Sequence, residues 1–89
     1  MKYIMFEKKL PDDMVQIVPV IFPEALVHSD VAEVMRRLKG IRGLEPVAAG
    51  SINMLAQTCY GKSETLQLNA RSQDAETINF VDYLPVRTI

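Results

Sequence analysis

KYIMFEKKLPDDMVQIVPVIF, residues 2–22, is the stretch that decides the fold. Its first part, KYIMF, places apolar side chains on both faces of an extended chain, as in a buried strand. EKKLPDD then interrupts the apolar run with charges, a proline and two aspartates, which are typical turn residues. MVQIVPVIF is rich in β-branched residues and predicts a returning strand. The stretch therefore predicts a β-hairpin.

Pro19 lies inside the second of these strands. Proline has no backbone N–H to donate to a neighbouring strand. The strand is therefore predicted either to lie at an edge of the sheet or to carry a bulge at this position.

Residues 29–40, SDVAEVMRRLKG, have the pattern of an amphipathic helix. Ser29 or Asp30 can cap its first turn, and Gly40 stands where a helix commonly ends. Apolar residues at helical spacing predict one buried stripe, formed by Val31, Val34, Met35 and Leu38.

The rest of the chain predicts further strands and a second helix. PVAAGSINML (46–55) is typical of a strand with a possible bulge at Gly50, and LQLN (66–69) alternates in polarity. QDAETINFVDYL (73–84) predicts a helix capped by Ser72. Its predicted inward-facing residues are Ala75, Ile78, Val81 and either Tyr83 or Leu84.

Together these elements predict one α+β domain spanning residues 1–89. Its expected architecture is a small antiparallel sheet of four or five strands built from hairpins. Two short helices are expected to pack mainly on one face of that sheet. Both faces of the hairpin strands are apolar, so the other face would be left bare. This predicts a homodimer, since a second copy is the commonest cover for such a face.

Composition narrows the classes of function. The chain is 48% hydrophobic and 24% charged, which favours a folded domain over a disordered one. Its net charge of −1 provides no electrostatic footprint for nucleic acid. One cysteine and one histidine cannot form a structural zinc site without carboxylates, so no metal and no cofactor are expected.

The opening MKYIMFEKKL lacks the apolar core of a signal peptide, and no run is long enough to span a bilayer. A cytoplasmic protein without membrane association is expected.

Cys59 and His28 are the candidate catalytic residues. A cysteine nucleophile needs a lowered pKa, supplied by an adjacent cation, an imidazolium or a helix N-terminus. Cys59 lies in a strand-like segment whose nearest cation is Lys62, which favours a small buried side chain over a nucleophile. An enzyme that uses Cys59 and His28 is kept as an alternative.

Basic residues gather at the end of the first predicted helix and just beyond it. They could bind an anion or nucleic acid, although a solvated basic helix end is the commoner explanation. The candidate binding residues are Arg36, Arg37, Lys39 and Arg42.

Three pieces of the chain resemble small uncharacterised proteins encoded by bacteriophages and prophages. They are IFPEALVHSDVA (21–32), EPVAAGSI (45–52) and CYGKSETLQLNARSQDAETI (59–78). Ala48 departs from this pattern, which has serine before Ala-Gly. The resemblance implies a phage or prophage origin and assigns no catalytic residues. The sequence thus favours a small non-enzymatic interaction protein that binds a host or virion protein. A cysteine-dependent enzyme and a nucleic-acid-binding protein are the alternatives.

Overall fold

The computed structural model describes residues 1–38 and 43–78, which form a small α+β fold. The strands are β1 (Lys2–Lys9), β2 (Val15–Phe22), β3 (Leu44–Asn53), β4 (Thr58–Tyr60), β5 (Lys62–Ser63) and β6 (Leu68–Asn69), and the helices are α1 (His28–Arg37) and α2 (Asp74–Thr77). A four-stranded antiparallel sheet has the order β2-β1-β3-β4, and β5 pairs with β6 in a second, two-stranded sheet. The predicted fold class is confirmed.

The predicted hairpin is formed by β1 and β2, which pair along their whole lengths. A short turn, Pro11–Asp13, joins them, and the backbone N–H of Leu10 donates to the carbonyl of Met14 at 2.8 Å. Asp12 and Asp13 both adopt positive φ in this turn. Aspartate tolerates that conformation better than most residues, which explains why two aspartates occupy the turn.

Pro19 lies in β2, an edge strand of the sheet that the described residues form, as predicted. The bulge lies elsewhere. Met5 pairs with Ala48 and Phe6 with Pro46, so Val47 is an extra residue in β3. Pro46 has no N–H to donate, and the ladder is therefore weakened at this point.

Gly50 was predicted as a possible bulge, but it pairs regularly with Tyr3. Its requirement for glycine has another cause. A Cβ atom at this position would lie 2.6 Å from the carbonyl oxygen of Tyr60 and 2.8 Å from Cβ of Ala70. The absence of a side chain lets the segment that contains β4 to β6 lie directly against β3.

Both faces of β1 are buried. We call one the Tyr3 face and the other the Phe6 face. The Tyr3 face has a core of Tyr3, Met5, Ala48, Ile52 and Ile78. The Phe6 face has a core of Ile4, Phe6, Phe22, Ala32, Leu44 and Ala49.

The two helices contribute to opposite faces, which differs from the expectation that both pack mainly on one. Ala32 of α1 lies in the Phe6 core. Ala75 of α2 and Ile78, which follows α2 directly, pack on the Tyr3 face. A central strand that is apolar on both sides needs cover on both sides. The predicted homodimer was argued from a bare sheet face, and that reason does not hold for β1.

The buried side of α1 also differs from the prediction. The helix begins at His28, one residue earlier than predicted, and neither Ser29 nor Asp30 caps it through a side chain. His28 and Ala32 are its buried residues, while Val34 and Leu38 are 59% and 45% exposed. The prediction that Val34 and Leu38 are buried was wrong, because burial of His28 rotates the inward side of the helix toward Ala32. Gly40 lies outside the described residues.

The second helix is shorter than predicted. It ends at Thr77, and Ile78 has extended backbone angles (φ −74°, ψ 128°). Ser72 is not its cap. Ile78 is buried as predicted, whereas three predicted inward-facing residues, Val81, Tyr83 and Leu84, lie outside the described residues.

Candidate functional site

His28 links the start of α1 to strand β3 by a hydrogen bond. Its Nε2 lies 2.9 Å from the carbonyl oxygen of Gly50. A carbonyl can only accept, so Nε2 carries the hydrogen and donates it. The ring also meets Phe22 edge-on, with centroids 5.3 Å apart and an interplanar angle of 82°. These contacts give the buried imidazole a structural role.

Cys59 lies in β4 opposite Ile52 and packs against the Tyr3 face. Burial raises the pKa of its thiol, the neighbouring Tyr3 hydroxyl lowers it, and the charge of Asp74 raises it. The net shift is upward, which reduces the thiolate fraction at neutral pH. This is the opposite of what a cysteine nucleophile requires.

The structure does not bring Cys59 and His28 together. Cys59 packs on the Tyr3 face, whereas the ring of His28 contacts Phe22 of the Phe6 core. Within residues 1–38 and 43–78 there is also no group of three or more His, Cys, Asp or Glu side chains that could hold a metal ion.

Of the four basic candidates, the structure describes Arg36 and Arg37 only. Both are exposed in the last turn of α1. Nη2 of Arg37 donates to Oε1 of Glu33 at 2.6 Å, an i,i+4 pair on the helix surface. Its charge is therefore partly neutralised within the chain. Lys39 and Arg42 lie outside the described residues.

A buried polar cluster that the sequence did not predict joins β1 to α2. The Tyr3 hydroxyl donates to Oδ2 of Asp74 at 2.6 Å and accepts from the backbone N–H of Arg71 at 3.1 Å. The Arg71 guanidinium donates to Oδ1 of Asp74 through Nη2 at 2.7 Å and Nε at 3.0 Å. Tyr3 is 0% and Asp74 1% exposed, so the carboxylate is buried with its charge compensated.

The electrostatics of this cluster favour a structural role. Burial raises the pKa of the Tyr3 hydroxyl well above its ordinary value, and the hydrogen bond with Asp74 raises it further. The hydrogen bond to Asp74 likewise raises the pKa of Arg71. Tyr3 stays protonated and Arg71 charged, so the cluster acts as a fixed hydrogen-bonded clamp. The sequence shows that Arg71 and Asp74 are three residues apart and could pair, but nothing near them predicts a contact with Tyr3.

An exposed apolar depression lies beside α1. We call it the α1 groove. The loop after β2 contributes Leu26, which is 48% exposed, and the helix contributes Val34. Its lining is almost wholly apolar and consists of Phe22, Leu26, Asp30, Val31, Val34 and Met35.

Sequence reasoning missed the α1 groove because it placed Val34 in the core. The sequence shows a leucine before the helix and a valine on it, and neither pattern distinguishes exposure from burial. Leu38 follows at the C-cap of α1, one helical turn beyond Val34, and is also exposed.

No protein-family model matches this chain, and no curated protein or solved structure matches it. None of the helices in the described residues is long and apolar enough to cross a membrane.

Proposed function

We propose that this chain is a small non-enzymatic interaction protein that binds another protein through the α1 groove. The observation that carries the proposal is the groove itself, an apolar depression between the end of β2 and α1 with Val34 and Leu26 exposed on its rim. Contiguous exposed apolar patches on small domains commonly mark protein interfaces.

The distinction between a patch and a scattered residue supports this choice. Leu55 is 97% exposed in the turn between β3 and β4, but it does not line the groove. Single exposed apolar residues of this kind are ordinary on protein surfaces. Leu55 therefore provides a matched control for Val34.

The two alternatives have less support. A cysteine-dependent enzyme would need Cys59 activated and close to His28, whereas burial raises the pKa of its thiol and the two side chains pack on different faces. A nucleic-acid-binding protein would need a contiguous basic surface. Of the basic candidates described, Arg37 already pairs with Glu33.

The nature of the partner follows from the resemblance alone. A phage or prophage protein that works in the host cytoplasm would bind a host or virion protein. We further propose that the chain forms a homodimer.

The test compares variants of a tagged chain in a lysate of the cell in which it is made. Val34→Asp and Leu26→Asp should abolish capture of the partner, because each puts a carboxylate in an apolar contact. Leu55→Asp should capture the same protein as the wild type. All three variants should keep the wild-type circular dichroism spectrum and melting temperature, since all three residues are exposed.

Capture that is equal for the wild type and all three variants would show that the α1 groove is not the binding surface. Loss of capture in Leu55→Asp alone would move the interface to the turn after β3.

A further inference from the structure

We infer that the α1 groove binds the α1 helix of a second copy of this chain, with the two helices antiparallel about a two-fold axis at Val34. The inference rests on the proposed function and names the surface of the proposed homodimer: a second copy occupies the same α1 groove and would compete there with a host or virion protein. A two-fold interface uses one patch on both subunits, so that patch must be complementary to itself. The α1 helix meets this condition in shape and in charge.

The shape condition is met by Leu38 and the groove. Leu38 lies four residues beyond Val34, which is about 6 Å along the helix axis. Leu26, Asp30 and Val31 line the groove, which extends from Val34 toward the start of the helix. When two helices cross antiparallel at Val34, Leu38 of the second copy therefore lies opposite the groove. The reverse contact is identical by symmetry.

The charge condition is met by the two ends of the helix. Asp30 lies in the first turn and Arg36 and Arg37 in the last. An antiparallel crossing at Val34 sets Asp30 of one copy against Arg37 of the other, twice per dimer. A parallel arrangement would instead set like charges side by side. Arg37 already donates through Nη2 to Glu33, but a guanidinium has five N–H groups and can serve a second carboxylate.

Sedimentation velocity over a micromolar to millimolar concentration series tests the assembly. The wild type should shift from monomer to dimer as concentration rises. Val34→Asp should remain monomeric throughout, because two carboxylates would face each other at the axis. Leu55→Asp should dimerise like the wild type. A wild type that remains monomeric at the highest soluble concentration overturns the inference, and so does a Val34→Asp variant that dimerises normally.

Charge reversal tests the antiparallel orientation. Asp30→Arg and Arg37→Asp should each weaken the dimer by about tenfold or more, since each sets like charges opposite each other. The double variant should restore the wild-type dissociation constant, because its pairs are opposite again. Weakening in both single variants without restoration in the double variant would overturn the antiparallel register. Thermal melts of each variant at low concentration separate this effect from loss of the intrachain Arg37–Glu33 pair.

A disulfide trap gives a readout that does not depend on affinity. In a Cys59→Ala background, Val34→Cys should form an intermolecular disulfide under mild oxidation faster than Leu55→Cys, because a residue at a two-fold axis meets its own copy. Equal rates for the two variants contradict the proposed axis.

The dimer and the proposed function can be tested separately. A monomeric wild type whose lysate capture still depends on Val34 refutes the dimer and leaves the proposed function standing. A dimer that depends on Val34, together with lysate capture that does not, supports the dimer and refutes the α1 groove as the surface that binds the partner.

Discussion

The hydroxyl oxygen of Tyr3 lies 2.6 Å from Oδ2 of Asp74, a residue 71 positions further along the chain. This hydrogen bond links the central strand β1 to the first residue of α2. The partly exposed guanidinium of Arg71 donates to the same carboxylate and supports this hydrogen bond. The clamp fixes the segment that covers the Tyr3 face.

Replacing Tyr3 by phenylalanine should lower the free energy of unfolding by about 1–3 kcal/mol, because Asp74 loses a donor while staying buried. Urea denaturation measures the difference. Tyr60→Phe is the matched control, since Tyr60 is exposed, and should change stability by less than about 0.5 kcal/mol. Equal stability of the Tyr3→Phe variant and the wild type would show that the hydrogen bond does not stabilise the fold.

Asp74→Ala should cost more than Tyr3→Phe, about 3–5 kcal/mol, because it leaves Arg71 without its partner beside a buried hydroxyl. Melting temperatures of the two single variants and the double variant form a thermodynamic cycle. The two losses should not add, since both variants break the same hydrogen bond. Simple additivity would contradict a shared network.

The clamp should make the protein sensitive to alkaline pH. The folded pKa of Tyr3 is raised above the ordinary tyrosine value of about 10. The folded state therefore holds its phenol proton where the unfolded state has lost it. The stability from this group is complete below about pH 10 and is lost as pH rises toward the folded pKa. The stability difference between wild type and Tyr3→Phe should shrink over this range in urea titrations, and a constant difference would contradict the raised pKa.

Cys59 should react slowly with iodoacetamide at neutral pH, because burial raises the pKa of its thiol. The same chain unfolded in urea should react much faster and serves as the internal control. Cys59→Ser should cost about 1–3 kcal/mol if the hydroxyl finds no partner on the Tyr3 face. Rapid labelling of the folded protein would indicate an exposed thiolate and restore the catalytic alternative.

Gly50→Ala should destabilise the fold through steric overlap with the carbonyl of Tyr60, a backbone atom that cannot rotate away. Overpacking of this kind costs about 1–3 kcal/mol and sometimes more. Gly43→Ala is the control, since a Cβ there meets nothing within 4 Å and only the positive φ of Gly43 opposes it. Gly50→Ala should melt at the lower temperature of the two, and the reverse order would contradict the close approach.

The sequence predicted what local patterns determine. The hairpin follows from two apolar runs around a turn. Pro19 predicted either an edge position or a bulge for β2, and the structure shows the edge position among the described strands. Gly50 was misread because a glycine within a strand signals either a bulge or a close approach, and only the position of Tyr60 decides between them. The inward side of α1 was misread because two overlapping stripes are available, one through Val34 and one through Ala32.

The Tyr3–Asp74 clamp could not be predicted for a different reason. The sequence contains a tyrosine in a strand and an aspartate near a helix start, and nothing in either segment specifies the other. Their contact depends on the order of strands in the sheet, which places β1 at its centre. Such pairings become visible only when the topology is known.

The central position of β1 also bears on how the chain folds during synthesis. β1 and β2 emerge from the ribosome before the other strands and can pair as a local hairpin, which is a fast step. Ala48 and Ile52 of β3 join the Tyr3 core next, but its cover stays incomplete until Asp74 and Ile78 have been made. A nascent chain stopped before Arg71 should therefore leave Tyr3 and Met5 partly exposed to chaperones, and synthesis of residues 71–78 should end that exposure.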